Sequence, residues 1–536
     1  PNKAAVVFFD AVLTYGELAR QVDSMAAYLQ SLGLAKGERV LLLMQNSPQW
    51  VVAHFAILRA NAVVVPVNPM NRAHELSHYI CDAQAAFAVV SADLAGFLAK
   101  ADFSLQPDEQ LRHVVVAHIG EVLDATSDGF AAEVPTAWVP WLSDVIDPPQ
   151  WAQAGHHSWA QAIHYEGLPQ ALTAGPSDLA VLPYTSGTTG LPKGCMHTHA
   201  SVMHNAVASS YWGNSTAEVV SLIVVPMFHI TGMVSGMHAA VFGGATMVVM
   251  PRWNRDLAGR MISKWRVTHW TNIPTMIMDL LASPNMSSYD LSSLKYIGGG
   301  GAAMPQAVAQ RLFDEFGLRF AEGYGLTETA APSHSNPPLA TKQQCLGVPF
   351  IGVRSMVVDP ETLLPLPQGE AGEIVINGPM VFQGYWRCPQ ATADAFVEIE
   401  GVRYFRSGDL GRMDEDGYYF MTDRLKRMIN ASGFKVWPAE VEALMFKHPS
   451  VAEACVIGVP DAYRGENVKV FVVLRAGHSV SEQDLLSWCH EEMAVYKAPR
   501  LLEFLDELPK SGSGKVMWRA LQEQAKEDAK SGAAAT

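Results

Sequence analysis

A chain of 536 residues is too long for one ordinary core, so two or more domains are expected. Its 49% hydrophobic and 17% charged residues are a globular composition, and a formal charge of −15, from 38 basic against 53 acidic residues, argues against a broad nucleic-acid footprint while leaving room for a local basic pocket. Six cysteines (Cys81, Cys195, Cys345, Cys388, Cys455, Cys489) fall in no paired spacing, which disfavours a zinc site and leads us to expect reduced thiols in a cytoplasmic enzyme.

The first ninety residues alternate strand-like and helix-like patches. Thr14 can cap a helix that runs to Leu32, with Gly33 ending it. Val40–Met44 and Val63–Val67 read as buried strands and Pro48–Ala60 as a helix, so parallel pairing is expected. No signal peptide is visible at Pro1, where the sequence opens abruptly on a strand-like run, so targeting is not read from this end. From Leu105 to Pro176 the pattern weakens into proline, tryptophan and aspartate clusters, which predicts loops and short surface elements.

The apolar run Leu179–Leu182 predicts a buried strand, and the stretch from Tyr184 to Gly194 then leaves its end, where an open α/β sheet places its ligand. Thr185, Ser186, Thr188 and Thr189 supply hydroxyls, Gly187, Gly190 and Gly194 allow tight turning, and Lys193 adds a positive charge. That is the inventory of a polyphosphate loop. A polar surface turn is the competing account, and the absence of a closing Gly-Lys-Ser/Thr triplet excludes a Walker A loop. His197, His199 and His204, with no carboxylate motif beside them, read as helix-surface or packing residues.

Residues 221–250 contain no Asp, Glu, Lys or Arg. Pro226, His229, His238 and the glycines among them favour a buried strand (Ser221–Pro226), a loop, a helix (Met233–Phe242) and a second strand (Ala245–Met250) over a membrane span. The strand Leu294–Ile297 is expected to end in Gly298, Gly299, Gly300 and Gly301, a backbone open to close approach by a flat ligand, before a helix from Pro305 to Phe316. In the run Glu322, Gly323, Tyr324, Gly325, Leu326, Thr327, Glu328, the Tyr324 ring is suited to stacking on a base and Glu328 to holding Mg²⁺. A core tyrosine and a capping glutamate are the alternatives. Asp409, after Ser407-Gly408, is placed to accept hydrogen bonds from vicinal hydroxyls, or is a plain turn residue. The charges of Asp423, Arg424, Lys426 and Arg427 mark a domain junction, followed by a hairpin and helix start over 430–442 and by a Gly/Ser loop holding Lys515 ahead of a final helix. Residues after about Ala525 read as a frayed tail.

The run from Tyr184, the Tyr-Gly-x-Thr-Glu motif at Tyr324, the Ser407-Gly408-Asp409 triplet with Ser407 in place of the usual Thr, the junction at Arg424 and the lysine loop at Lys515 together resemble the adenylate-forming superfamily of acyl-CoA synthetases, peptide-synthetase adenylation domains and luciferases. The resemblance covers nearly the whole chain and is nearest to fatty acid–CoA ligases. It implies an α/β fold with a large N-terminal domain of parallel-rich sheets (1–422), a hinge (423–427) and a small mobile C-terminal α+β domain (428–536). It also implies ATP, Mg²⁺ and coenzyme A. Thr185, Ser186, Gly187, Thr188, Thr189, Gly190 and Lys193 would hold phosphates. Gly300, Gly301, Ala302, Glu322, Gly323, Tyr324, Gly325, Thr327, Asp409 and Arg424 would hold the nucleoside, and Glu328 with Thr185 the metal. His229, Gly232, Met233 and Gly300 would line the acyl pocket, Lys426 would be the pivot, and Ser432, Gly433 and Phe434 would line the thiol tunnel. Lys515 would be the catalytic cation.

The implied activity is ATP-dependent ligation of a small carboxylic acid, favoured as a medium- or long-chain fatty acid, to coenzyme A. An aryl acid, a carrier-loading adenylation enzyme, a luciferase-like oxygenase and a non-catalytic nucleotide binder are the alternatives. No nucleic-acid partner and no transmembrane segment are expected, while a homodimer and peripheral membrane attachment are allowed.

Overall fold

The computed structural model describes residues 1–144, 146–185, 192–301, 303–424, 427–431, 434–461, 465–494, 497–510 and 516–533. The chain forms two compact units, Pro1–Arg354 with Ile376–Phe405 (unit 1) and Ser355–Val375 with Arg406–Thr536 (unit 2). The expected junction at 423–427 falls within unit 2.

Among the described residues, unit 1 holds a seven-stranded sheet in the order His197–Thr198, Leu179–Val181, Val63–Pro66, Arg39–Leu43, Phe87–Ser91, His113–Ala117, Gly155–Ser158. Every pairing except that of His197–Thr198 is parallel, as helix-separated strands require. Both faces are buried: Leu41, Leu43, Val65, Val90, Val114 and Val116 pack with Ile80 and Leu98, while Val40, Leu42, Val64, Val89 and Val115 are equally closed to solvent on the other side. Strands buried on both faces read as continuous apolar runs. The first helix, Tyr15–Ser31, carries the expected Thr14 cap in a full capping box with Glu17. Residues 105–176 contribute more than loops. His113–Ala117 and Gly155–Ser158 are strands of this sheet, overlooked because each run is short and bounded by polar residues.

A nine-stranded sheet in the same unit runs Val348–Pro349, Ala331–Ser335, Phe320–Leu326, Tyr296–Gly300, His269–Asn272, Val220–Ile223, Thr246–Val249, Ala4–Phe8, Ala11–Thr14. Its six inner strands, from Phe320–Leu326 to Ala4–Phe8, are parallel. Residues 221–250 lie inside it as strand, helix and strand, and among the described residues no helix is long and apolar enough to cross a membrane.

Unit 2 contains adjacent strands at 355–358, 372–375 and 406–413, with 419–424 paired to the last. A further sheet is built on the hairpin Val451–Asp461/Gly465–Leu474, flanked by Ile429–Ala431, Phe434–Val436 and Leu501–Phe504. Val456, Val470, Val472, Val441, Met445 and Leu485 form its core. Asp423 is buried and accepts from Ala439 N at 2.7 Å, where the helix Pro438–Met445 begins. Arg427 bonds Glu442 and Val456 O. These charged residues are therefore fastened within the unit.

The glycine run occupies a strand. Gly298, Gly299 and Gly300 belong to Tyr296–Gly300, and a Cβ on Gly299 would stand 1.8 Å from Asn272 O while one on Gly300 would stand 2.1 Å from Gly323 O. The neighbouring strands, not only a ligand, require the missing side chains. Gly299→Ala is accordingly expected to cost about 3 kcal/mol of stability, read as a lowered urea midpoint by tryptophan fluorescence. An unchanged midpoint would contradict the close approach.

Candidate active site

The phosphate-loop candidate is clamped at its base. Thr185 and Lys193 are directly opposed in a short antiparallel pair, with Tyr184 opposite Gly194. Ser186, Gly187, Thr188, Thr189 and Gly190 lie outside the described residues. Tyr184 packs on Tyr79 and donates to Asp82 Oδ2 at 2.6 Å. Beyond Lys193 the chain is laced to a distant segment, with Trp386 N donating to Gly194 O (2.8 Å), Gln383 N to Met196 O (2.9 Å) and Cys195 bridged to Tyr385. Side chains alternate along extended backbone, so Lys193, two residues before Cys195, shares the Tyr385 face. Its ammonium stands 5.4 Å from the centroid of the Tyr385 ring.

Glu328 sits in the short turn Thr327–Thr329 and is 9% exposed. Its Oε1 accepts from Tyr385 Oη at 2.7 Å, and its carbonyl accepts from Phe382 N at 2.8 Å. Two further side chains fix the turn. His197 Nε2 lies 2.7 Å from Thr327 O, so that nitrogen carries the proton and donates. Asn205 Nδ2 lies 3.0, 3.0 and 3.1 Å from the carbonyls of Thr329, Ala330 and Pro332. Ala330 and Ala331 have φ of +50° and +83°, a conformation that needs such support in residues other than glycine. The sequence reading placed His197 among packing residues and passed over Asn205 and Tyr385. His197, Ser201 and Asn205 follow one another at intervals of four among buried apolar neighbours, the one signal that marks them.

Tyr324 is 7% exposed, its ring tilted against His334 with centroids 5.7 Å apart. Glu322, equally buried, accepts from Gln344 N at 2.8 Å, and burial pushes its carboxyl up to about 7. Gly300 pairs with Gly323, which brings the glycine strand against the tyrosine strand, and a Cβ on Gly325 would meet Ala331 O at 2.0 Å. Gly301 is exposed, and Ala302 lies outside the described residues.

Of the acyl-pocket candidates, Gly232 and Met233 lie in a π-helix, Thr231–His238, and His229 just before it. Asn46 straddles the approach to it, accepting from Met227 N (2.7 Å) and donating to Val225 O (3.2 Å). His229 N bonds Pro226 O at 3.1 Å, and the resulting turn is so tight that a Cβ on Gly232 would fall 2.2 Å from Pro226 O. Met233 is fully buried. At the far end His238 Nε2 meets His54 Nε2 at 2.7 Å, both rings buried and His54 stacked on Trp50. Burial pushes both imidazoles down, His238 to about 4, so one neutral ring donates to the other.

In unit 2, Asp409 is buried and pairs in register with Arg424. Ser407 Oγ donates to Ile374 O at 2.6 Å and accepts from Asp409 N at 3.0 Å, so the serine supplies the hydroxyl that the usual threonine would. Phe434 begins a strand. Lys426, Ser432, Gly433 and Lys515 lie outside the described residues, the last between Lys510 and Val516, which are bridged to each other.

Among the described residues no three His, Cys, Asp or Glu side chains converge as a metal cage. The buried carboxylate of Glu328, with Thr185 at the base of the phosphate-loop candidate, fits Mg²⁺, which takes one or two carboxylates and leaves its other positions to water and phosphate oxygens.

Residues 1–386 match the family model described as AMP-binding enzyme, and residues 440–515 match the AMP-binding enzyme C-terminal domain. The chain is 32% identical to a long-chain-fatty-acid–CoA ligase of Bacillus subtilis, with 98% of this chain and 93% of that one covered. It is 33% identical to a feruloyl-CoA synthase of an Amycolatopsis species, covering 96% and 95%. Among solved structures, ATP-bound MatB from Rhodopseudomonas palustris superposes with a TM-score of 0.81 at 28% identity over 98% of this chain and 96% of that one.

Burial lowers the His197 imidazole from 6.5 to about 4 in the folded chain. The unfolded chain therefore takes up the proton first as pH falls. The stability contributed by the neutral ring is fully present above pH 6.5 and is lost progressively toward pH 4, amounting to about 3 kcal/mol. His197→Asn should remove that part of the slope of unfolding free energy between pH 4 and 6.5. Parallel slopes in urea titrations of the two proteins would contradict it.

Proposed function

The chain belongs to the AMP-binding enzyme family, and from that premise we propose an AMP-forming acid–CoA ligase whose acid is a fatty acid of medium or long chain. The observation that carries the reading is the convergence of a phosphate-loop cation, Lys193, and a buried carboxylate, Glu328, on one tyrosine.

A carboxylate is a poor acyl donor because its leaving group would be oxide. In the first step a carboxylate oxygen attacks the α-phosphorus of ATP in line, forming the acyl-adenylate as the bond to pyrophosphate breaks. In the second the coenzyme A thiol, giving up its proton, attacks the acyl carbon and AMP departs with the bonding electrons. Little covalent chemistry falls to the protein, so alignment and charge neutralisation dominate. Thr185 to Lys193 hold the β and γ phosphates. Glu328 and Thr185 would hold Mg²⁺, which when bound would neutralise charge on the phosphate oxygens. Tyr324, Gly300 and the Glu322–Gly325 strand take the base, while Asp409 takes the ribose and Arg424 contacts the nucleotide. Lys515 serves the first step alone.

The acid is read from the segment around His229. Ile230, Met233, Val234 and Met237 are buried there and residues 221–250 carry no charged side chain, which suits a flexible apolar chain. The relative that makes long-chain fatty acyl-CoA, by its name, supports the same choice. An aryl acid is the second reading, favoured by the likeness to a feruloyl-CoA synthase.

A panel of acids in a CoA-dependent AMP-release assay separates the two. For a fatty-acid pocket kcat/KM should climb roughly fourfold or less per added methylene until the pocket is filled, whereas a maximum at cinnamate- or benzoate-type acids would select the aryl reading. Lys515→Ala should slow adenylation by on the order of 100-fold or more and spare thioester formation from supplied acyl-adenylate. Equal loss in both half-reactions would refute the division of labour.

A further inference from the structure

We infer that Tyr385 is a positioning residue for adenylation, holding the phosphate-loop lysine and the metal-binding carboxylate in one fixed arrangement through two different parts of its side chain. The inference rests on the reading of Lys193 and Glu328 given above.

The hydroxyl acts on Glu328. It lies 2.7 Å from Oε1, and because a carboxylate oxygen only accepts, the phenol O–H is the donor of that bond. A donated hydrogen bond at one oxygen fixes the rotation of the carboxylate plane and hence the direction it offers to a cation, the task that outer partners perform for metal-binding carboxylates generally. The ring acts on Lys193. Its centroid is 5.4 Å from the ammonium, within the range of attraction between a cation and a phenol face.

The ring itself is held. Phe382 packs against it edge-on at 4.9 Å, and Phe382 in turn stacks on Phe396 and meets Phe405. Thr392 Oγ1 accepts from Tyr385 N at 2.9 Å. The bridge to Cys195 and the bonds from Gln383, Met196 and Trp386 fix the backbone to the strand leaving the phosphate loop. One tyrosine is thus braced from the aromatic cluster, laced to the loop's exit and bonded to the carboxylate turn. A displacement of either the loop or the turn would be felt by the other through it.

The two parts can be removed separately. Tyr385→Phe deletes only the hydroxyl, and Tyr385→Leu deletes the ring as well. Binding of ATP is measured by isothermal titration without acid, with and without Mg²⁺, alongside the Mg²⁺ dependence of adenylation and thioester formation from supplied acyl-adenylate. In Tyr385→Phe the Mg²⁺ concentration for half-maximal adenylation should rise about tenfold and Mg²⁺-dependent ATP binding should weaken in step, with metal-free ATP binding, the KM for the acid and the thioester step unchanged. Tyr385→Leu should in addition weaken metal-free ATP binding about threefold. If the wild-type enzyme adenylates acids while Tyr385→Phe keeps wild-type Mg²⁺ dependence and binding, the inference fails and the proposed function stands. Uniform loss in every readout, the thioester step included, would also overturn it, since that is the mark of a merely structural residue. A wild-type protein that adenylates no acid would remove the reading beneath it.

Discussion

A carboxylate with little access to water is costly to bury and would be costlier still without partners, and the bond from Tyr385 to Glu328 is the contact around which the unit 1 site is arranged. To keep that bond, the turn that carries Glu328 must stay where it is. His197 and Asn205, both fully buried on the strand and helix that follow the phosphate-loop candidate, hold its carbonyls in a backbone path that two alanines would not adopt unaided. Tyr385 must stay as well, and its backbone is laced to Gly194 and Met196. The strand leaving the phosphate-loop candidate, the carboxylate turn and the tyrosine therefore share one hydrogen-bond network, and the Lys193 ammonium joins it through the face of the Tyr385 ring.

The sheets explain why this network is possible. The loop leaves the end of a strand buried on both faces, and the Tyr324 strand lies against glycines whose absent side chains let three strands approach closely. The stiffness of the surroundings is thus set by backbone contacts, and the site inherits it. The apolar segment is anchored in the same manner, by Asn46 at its start and by the His54–His238 pair at its end. The π-helix between them carries Gly232 and Met233 inside a run, residues 221–250, that holds no Asp, Glu, Lys or Arg.

The elements that could be read from the sequence were those whose causes are local. Thr14 and Glu17 spell a capping box, Pro48 opens a helix, and Val63 to Pro66 is apolar at every position. The candidate phosphate loop and the Tyr324 run stand out because their polar and glycine residues are contiguous. What escaped depends on distant partners. His113–Ala117 is an inner strand only because Phe87–Ser91 and Gly155–Ser158 flank it. Asp423 reads as a linker charge until the helix start at Ala439 is seen to receive it. Tyr385 acquires a role from Lys193 and Glu328, which stand far from it in the chain, and nothing in its own neighbourhood announces it.

The account as a whole claims that these residues activate a carboxylate at the α-phosphorus of ATP, a step that is reversible and needs no coenzyme A. Exchange of labelled pyrophosphate into ATP by the purified protein, with Mg²⁺ and an organic acid present and the thiol omitted, tests that claim most directly. Exchange that appears only when a fatty acid is added is the result expected. A protein that shows no acid-dependent exchange with fatty or aryl acids would contradict it.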